Sequence, residues 1–267
     1  MNDTAALKLK EEDLKLLADF TLMDDDFMTI VFDRNIEATE LVLNIILDRH
    51  DMKVIDVIAQ REYKNPVTDG RSIKLDIYAE DSNGKVYDIE VQNNDSGADS
   101  HRARFHSSML DTKMLKEKQK FKELHDSYVI FITRNDYMKM GLPIYHVERT
   151  VQEAETLFGD GSHIIYVNGS YIDDNTPIGK LMHDFRCTNA VDMYYQELAR
   201  PVRHFKEIEG GQYQMSQAME ERIERERINN SFELIKNLME SMKMTAEQAM
   251  AALKISDADR AVLAKKF

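Results

Sequence analysis

The sequence predicts an α/β fold that is followed by a helical C-terminal region. Several short segments alternate between apolar and polar residues, and stretches with apolar residues at helical spacing separate them. A strong turn signal, Ser82-Asn83-Gly84, joins two of the alternating segments into a hairpin. From about Thr176 onward no strand pattern remains. Strands and helices that succeed one another in this order are typical of the α/β class.

The elements up to the hairpin follow from the spacing of apolar residues. Residues 36–49 carry apolar side chains at helical intervals and are predicted to form a helix. Residues 54–63 are rich in β-branched residues and predict a strand, which the Asn65-Pro66 turn signal ends. Residues 73–79 and 87–92 alternate between apolar and polar side chains, so each is predicted to be a strand with one buried face.

One long helix and two further strands are predicted downstream of the hairpin. An apolar stripe that includes Phe121 predicts a helix over about residues 100–124. The compact apolar runs 128–133 and 163–167 predict strands. The remaining predicted elements are helices over 182–206 and 213–244 and two short capped helices that begin near Thr245 and Ser256.

A chain of 267 residues can form one sizeable domain with an appendage, or two small domains. We place a boundary near Gly210-Gly211, between a core with flanking helices (1–210) and a helical C-terminal region (211–267). The predicted helix over 213–244 has scattered apolar positions, which a partner helix usually covers. We therefore expect residues 211–267 to drive self-association, with a homodimer as the commonest arrangement.

The charge of the chain limits the partners that it can have. A formal net charge of −13 argues against a protein that coats nucleic acid, because such proteins present a basic surface. Residues 102–122 are an exception, with seven basic residues against two acidic ones. Lys113, Lys116 and Lys120 share one side of the predicted helix, and Arg102 lies close to that side. This stretch is either a solvated helix face or a surface for an anionic partner.

Cysteine usage and hydropathy limit the compartment. Cys187 is the single cysteine, so an internal disulfide cannot form, which fits a reducing environment. The start of the chain has no apolar run behind a basic cluster, and we expect no secretory signal. No run of about 18 apolar residues occurs, so we expect no membrane span. The predicted location is the cytoplasm.

Two carboxylates of the predicted hairpin are candidates for a metal site. Asp76 and Glu90 lie on neighbouring strands, and Mg²⁺ prefers oxygen ligands from one or two carboxylates. A two-residue turn would place them on opposite faces, whereas a three-residue turn with Gly84 left-handed would set Asp76 opposite Glu90, with Gln92 on the same face. Both turns are common. The alternative is an exposed hairpin face without a ligand, to which Asp88 adds a third carboxylate.

The spacing of these residues resembles a known nuclease motif. Thirteen residues separate Asp76 from Glu90-Val91-Gln92, an arrangement similar to that of the PD-(D/E)XK nuclease superfamily. It most resembles the branch of PD-(D/E)XK nuclease family transposases, also called recombination-promoting nucleases. Further segments that resemble this branch are 26–27 with 31–32, 40–47, 102–111, 179–185 and 199–205, within about residues 24–220. The resemblance implies an α/β restriction-endonuclease-like core with a helical C-terminal extension.

The resemblance implies roles for the hairpin residues. Asp76 and Glu90 would bind Mg²⁺ or Mn²⁺, and the backbone carbonyl of Val91 would help them. The third motif residue is usually lysine, but it is Gln92 here, as is usual in this branch. An amide takes up no proton at neutral pH, so Gln92 would orient water or phosphate by hydrogen bonds. The cation itself would then loosen the proton of the attacking water.

The resemblance also implies roles for residues outside the hairpin. A helix carboxylate often completes the metal site, and Glu40 is the candidate, with Glu37 second and an ordinary exposed helix acid as the alternative. The residues that would contact DNA phosphates are Arg102, Lys113, Lys116 and Lys120. His106 and His125 have no recognisable ligand spacing, so we expect satisfied or exposed histidines.

The function implied is that of a Mg²⁺-dependent DNA endonuclease that hydrolyses phosphodiester bonds. Its breaks could promote recombination or act in defence against foreign DNA, and the family name does not in itself imply cleavage at transposon ends. The alternative is a non-catalytic module that binds nucleic acid or protein on a degenerate nuclease fold. The presence of both Asp76 and Glu90 disfavours that alternative.

Overall fold

A mixed β-sheet is the centre of the N-terminal part of the chain. The computed structural model describes residues 11–68 and 70–267. Its strands are β1 (Val54–Tyr63), β2 (Ile73–Asp81), β3 (Val86–Gln92), β4 (Ser127–Thr133), β5 (Ile144–Val147), β6 (Thr150–Val151), β7 (Thr156–Leu157) and β8 (Ser162–Asn168). Within the described residues, six of them form one sheet in the order β1-β2-β3-β4-β8-β5, in which β3, β4 and β8 are parallel and the other pairings antiparallel.

Helices precede the sheet, interrupt it and follow it. They are α1 (Glu11–Asp19), α2 (Asp25–Phe32), α3 (Ile36–Ile46), α4 (Ser100–Met114), α5 (Pro177–Arg186), α6 (Gln196–Glu207), α7 (Glu209–Met242), α8 (Ala246–Ala252) and α9 (Asp257–Leu263). Among the described helices, none is long and apolar enough to cross a membrane. The α/β fold with a helical C-terminal region is confirmed.

The packing of the helices buries β3 in the middle of the sheet. α2 and α3 pack on β1 and β2, and α4 packs on β4 and β8. Every residue of β3 except Gln92 is buried, and neither Asp88 nor Glu90 has any exposed area. The alternative of an exposed hairpin face is therefore wrong, because the acidic residues of β3 lie in the interior.

A three-residue turn joins β2 to β3. Gly84 has a φ of 77°, and the N–H of Asp81 donates to the carbonyl of Lys85 at 3.0 Å, so residues 82–84 form the loop. The ladder then pairs Ile77 with Ile89. One step further along, this register sets Asp76 opposite Glu90. The sequence left two turns open, and the structure has the one that brings the two carboxylates together.

The helix predicted over residues 100–124 is wrong in its second half. α4 ends at Met114, and the N–H of Lys116 donates to the side chain of Gln119 at 2.7 Å in the turn that follows. Phe121, which was expected on the apolar stripe, is 91% exposed. Lys116 and Lys120 therefore lie beyond α4, and the predicted basic helix face does not form.

The helix predicted over residues 182–206 is interrupted. α5 ends at Arg186 and α6 begins at Gln196. Between them the buried carboxylate of Asp184 accepts the N–H groups of Tyr194 and Tyr195, each at 2.9 Å. These bonds hold the chain in a turn that residue spacing alone does not reveal. The short strands β5 to β7 and the helices α1 and α2 were not predicted either.

Contacts divide the chain into two units, one up to Tyr213 and one over Gln214–Phe267. The predicted boundary near Gly210-Gly211 lies just before this division, inside α7. In the second unit α8 and α9 pack on α7 around the buried residues Ile228, Ile235, Ala249, Met250 and Leu263. Thr245 and Gln248 form the predicted capping box. Part of the apolar surface of α7 is thus covered within the chain, whereas Ile223 and Leu234 are exposed.

The substitution Gly84→Ala tests the turn that sets the β2–β3 register. An L-residue held in the left-handed conformation costs about 1–2 kcal/mol, so we expect the free energy of unfolding to fall by about that amount. All eleven tyrosines precede Gln214, so urea denaturation followed by tyrosine fluorescence reports on the first unit. Gly210→Ala is the control, since an added Cβ there meets nothing within 4 Å. An equal loss in both variants would contradict the role of the turn.

Candidate metal centre

The carboxylates of Asp76 and Glu90 meet where the pairing of β2 with β3 ends. The backbone N–H of Asp76 donates to Glu90 Oε1 at 3.1 Å, and the N–H of Val91 donates to Asp76 Oδ2 at 3.0 Å. Each carboxylate thus accepts an N–H of the opposite strand, in place of the ladder bonds that stop at Ile77 and Ile89. These reciprocal bonds fix both acids side by side.

Arg102 reaches the same carboxylate from the first turns of α4. Its guanidinium forms a short ion pair with Glu90 Oε2 and donates to the carbonyl of Gly97 at 3.0 Å. Gln92 lies between the two groups, with its Nε2 3.4 Å from Glu90 Oε2 and its Oε1 3.4 Å from Arg102 Nη1. A Cβ on Gly97 would lie 1.8 Å from Gln92 Oε1, so a side chain at that position would displace the Gln92 amide. The predicted motif residues Asp76, Glu90 and Gln92 are therefore brought together.

A buried aspartate–histidine pair adjoins Glu90. His106 lies one turn after Arg102 on α4, and its Nδ1 is 2.7 Å from Asp88 Oδ2 and 3.7 Å from Glu90 Oε1. Both side chains are buried, and Asp88 Oδ1 has no hydrogen-bond partner among the described residues. The sequence treated His106 as an ordinary histidine and Asp88 as an extra acid. The local signals were the i, i+4 spacing that puts His106 on the Arg102 side of the helix and the i, i+2 spacing that puts Asp88 on the Glu90 face of the strand, and neither identifies a ligand by itself.

The electrostatics of the centre are those of crowded, buried acids. Burial raises the pKa of Asp76 well above its ordinary range, and the charges of Glu90 and Asp25 raise it further. Burial also raises the pKa of Asp88 well above its ordinary range, with a further contribution from Asp76. The pKa of Glu90 rises to about 8, through burial and then through the charge of Asp88. Burial lowers the pKa of His106, which favours the neutral imidazole.

These residues fit a divalent cation. Asp88, Glu90 and His106 each offer a ligand atom, and the three atoms lie within 4.8 Å of one another. Carboxylate oxygens and a neutral imidazole nitrogen are common ligands of divalent metals. The unpartnered oxygen of Asp88 and the raised pKa values show that the protein compensates the buried charge incompletely. A cation would supply the missing compensation.

The structure does not bring Glu40 to this centre. Glu40 Oε2 accepts the N–H of Val54 at 2.9 Å, at the start of β1. Gln60 lies next to Asp76, with its Nε2 3.5 Å from Asp76 Oδ1. Along β1, Gln60 is about 20 Å from Val54 at the usual rise per residue. Glu37 pairs with Arg200 at 3.5 Å, next to Glu40 in a separate cleft. Neither predicted helix acid is in reach.

A different helix acid lies beside Asp76. Asp25 begins α2, and its Oδ1 is 3.2 Å from the same Gln60 amide that approaches Asp76. Its charge contributes to the raised pKa of Asp76. The structure thus places an acid of α2, rather than one of α3, next to Asp76, and the sequence could not show which end of β1 each helix faces.

A cleft with basic side chains opens beside the centre. It has a volume of about 660 Å³, and among its lining residues are Arg71, Lys74, His101, Arg102 and His106. Arg102 is the residue of the predicted DNA-contact set that lines it. The Nζ of Lys113 lies 5.9 Å from the ring of Tyr63, whose strand partner Ile73 also lines the cleft. The contact of Lys113, Lys116 and Lys120 with nucleic acid stays a prediction.

The segment that carries these elements matches a known family. Residues 32–174, more than half of the chain, match the model of the PD-(D/E)XK nuclease family transposase. The chain belongs to this family. No curated protein and no solved structure gives a match. The predicted resemblance is confirmed, and the fold described above is consistent with the PD-(D/E)XK family.

The PD-(D/E)XK match includes Asp76, Asp88, Glu90, Gln92, Arg102 and His106. Asp25 and the helices from α5 to α9 lie outside the matched residues. Family membership indicates a nuclease-type function. It names neither the cation nor the substrate.

The raised pKa of Glu90 predicts how the metal-free protein responds to pH. A carboxyl with a raised pKa binds more protons in the folded than in the unfolded state, so the stability that it contributes is present below the ordinary value of 4.5 and is lost as the pH rises toward about 8. We expect the melting temperature in a chelating buffer to fall across this window. In Glu90→Gln the fall should be shallower, whereas the exposed Glu62→Gln should leave it unchanged. Equal slopes for wild type and Glu90→Gln would contradict the raised pKa.

Proposed function

We propose that this PD-(D/E)XK protein is a metal-dependent endonuclease that hydrolyses phosphodiester bonds in DNA. The observation that carries the proposal is the pair of carboxylates, Asp76 and Glu90, held side by side by reciprocal backbone bonds, with Glu90 bound to Arg102, which lines the adjacent cleft with basic side chains. The family description, a nuclease family transposase, supports DNA as the substrate. Breaks made by such an enzyme would promote recombination or act against foreign DNA. The single cysteine favours a reducing compartment such as the cytoplasm.

Asp76, Glu90 and the carbonyl of Val91 would hold the cation, Mg²⁺ or Mn²⁺. When bound there, a divalent cation stabilises charge on the phosphate and lowers the pKa of water. Gln92 lies 3.4 Å from Glu90 and would offer its amide to water or phosphate. In the reaction the water oxygen forms a bond to phosphorus, the P–O ester bond breaks, and the leaving oxygen takes up a proton.

The basic side chains of the cleft would position the DNA backbone. Arg71 and Lys74 line the cleft on the β2 side, and Arg102 lines it on the α4 side. Arginine and lysine contacts to phosphates hold nucleic acid in register and make binding dependent on salt. Such a local basic surface reconciles an acidic protein with an anionic substrate. We propose Lys113 as a further contact, and retain Lys116 and Lys120 as contacts that no longer depend on a shared helix face.

We also propose that the C-terminal unit forms homodimers. Ile223, Leu234 and Met242 of α7 are exposed, although other apolar residues of the unit pack within it. A second copy of the unit would cover these positions. Two copies would place two centres on one duplex, one for each strand.

The substitutions Asp76→Asn and Glu90→Gln test the proposed reaction. Each removes a ligand charge with little change of shape, so we expect plasmid cleavage with Mg²⁺ or Mn²⁺ to fall on the order of 10³-fold. Asp56→Asn, the same change at an exposed position of β1, is the matched control and should cleave normally. Undiminished cleavage by either centre variant would contradict the mechanism. A wild type that binds DNA but never cleaves it would instead support the non-catalytic alternative.

A second pair of variants tests whether α2 or α3 supplies the additional acid of the proposed metal site. Asp25 adjoins Asp76 through Gln60, whereas Glu40 is bound to the backbone of Val54. We expect Asp25→Asn to raise the Mg²⁺ concentration required for half-maximal cleavage by about 10-fold, and Glu40→Gln to leave it unchanged. The opposite result would restore Glu40 as the helix carboxylate.

A further inference from the structure

Asp88, Glu90 and His106 form a ligand group that the usual PD-(D/E)XK roles leave unassigned. The Asp76 carboxylate is not part of this group, whose three ligand atoms lie within 4.8 Å of one another. Glu90 alone belongs both to this group and to the Asp76 pair. The group is thus a second position, and Glu90 stands between the two.

The geometry of the group suits coordination. Neighbouring ligands of a cation with bond lengths of 2.0–2.1 Å lie about 3 Å apart in an octahedral shell. His106 Nδ1 lies 2.7 Å from Asp88 Oδ2 and 3.7 Å from Glu90 Oε1, values on either side of that spacing. Small rotations of the side chains would bring all three atoms onto one ion.

Independent observations indicate that a ligand belongs here. Asp88 is completely buried, yet its Oδ1 has no partner among the described residues. Three carboxylates (Asp76, Asp88 and Glu90) face one guanidinium, that of Arg102, which leaves two formal negative charges in excess. A divalent cation matches that excess. A buried structural ion pair would more commonly be balanced within the protein.

The imidazole determines which cation is favoured. Mg²⁺ and Ca²⁺ are hard ions that take oxygen ligands, whereas imidazole suits zinc, iron, nickel and copper. Mn²⁺ begins the same transition-metal series as its weakest binder, so it makes a stringent probe of a nitrogen ligand. We infer that Asp88, Glu90 and His106 hold a transition-metal ion such as Mn²⁺ in preference to Mg²⁺, at a position beside Asp76 and with Glu90 shared. The inference rests on the proposed function in that it names a cation of the same centre.

One hydrogen bond, from Arg102 to His106, would have to break when the metal binds. Arg102 Nε donates to His106 Nε2 at 3.4 Å, which requires an unprotonated Nε2, whereas a metal on Nδ1 leaves the proton on Nε2. A bond of that length is weak. The other bonds of Arg102, from its Nη atoms to Glu90 and Gly97, do not involve His106.

The test measures binding rather than cleavage. Mn²⁺ and Mg²⁺ are titrated calorimetrically into the tag-free, metal-free full chain, and pulsed electron paramagnetic resonance of bound Mn²⁺ detects any coupled nitrogen. We expect Mn²⁺ to bind wild type at least ~10-fold more tightly than Mg²⁺, and to show the nitrogen coupling. His106→Asn should lose the coupling and about 10-fold in Mn²⁺ affinity. Asp76→Asn and the exposed His125→Asn should keep the coupling.

The outcomes separate this inference from the proposed nuclease. Wild type without nitrogen coupling, or coupling that persists in His106→Asn, would overturn the site, and the wild-type arm needs no variant to fold. Cleavage with Mg²⁺ by a wild type that lacks the coupling would leave the nuclease standing and remove the second position. A protein that shows the His106-dependent coupling but cleaves no DNA would support the second position and contradict the proposed nuclease.

Discussion

The burial of Asp88 and Glu90 beneath α4, beside the partly buried Asp76, is the constraint on which the rest of the centre depends. Taking an ionised carboxylate out of water is expensive unless bonds and opposite charges offset the cost. Two backbone N–H groups, the Arg102 guanidinium and the His106 ring supply part of that offset. The part of the burial cost that these groups do not offset raises the pKa values of all three acids. Such perturbation in a cleft is typical of functional sites.

The turn between β2 and β3 determines whether this constraint exists at all. A slip of one residue in a strand pair moves every side chain to the other face of the sheet. With Gly84 left-handed, the register sets Asp76 opposite Glu90, and the apolar residues Ile77 and Ile89 stay opposite each other. A turn one residue shorter would have separated the two acids. A local backbone conformation thus decides whether two distant residues form one centre.

The sequence predicted those elements whose identity depends on local patterns. Alternation of side chains locates β2 and β3, and the limits predicted for β1 agree with the structure because a turn signal follows it. The end of α4 was mispredicted, because the bond of Lys116 to Gln119 competes with a helix that the apolar spacing favoured. A local bond of this kind between a side chain and the backbone offers the chain an alternative to a helix and leaves no periodic signal.

The site was predictable where the residues are consecutive and unpredictable where separate elements converge. Asp76, Glu90 and Gln92 lie within one hairpin, where their spacing carried the family resemblance that selected them, although the turn alone left their faces undecided. Asp25 lies near Asp76 because of the end of β1 that α2 meets. His106 lies near Asp88 because of the rotation of α4 over the sheet. Both are properties of packing. In a single sequence, the local pattern around these two residues does not distinguish them from many other acids and histidines.

Gln92 and Arg102 are best understood as one unit. The amide of Gln92 donates toward Glu90 and accepts from Arg102, a double role that the donor-only lysine of the usual motif cannot fill. A lysine at position 92 would direct a second positive charge at the guanidinium. With glutamine there, the permanent positive charge beside Glu90 comes from α4 rather than from β3. Because arginine keeps its proton and an amide takes none, neither residue can accept the proton of an attacking water. A bound cation would instead lower the pKa of that water, so that its proton could pass to solvent without a protein base. The affinity for such a cation would depend on how the buried carboxylates are compensated.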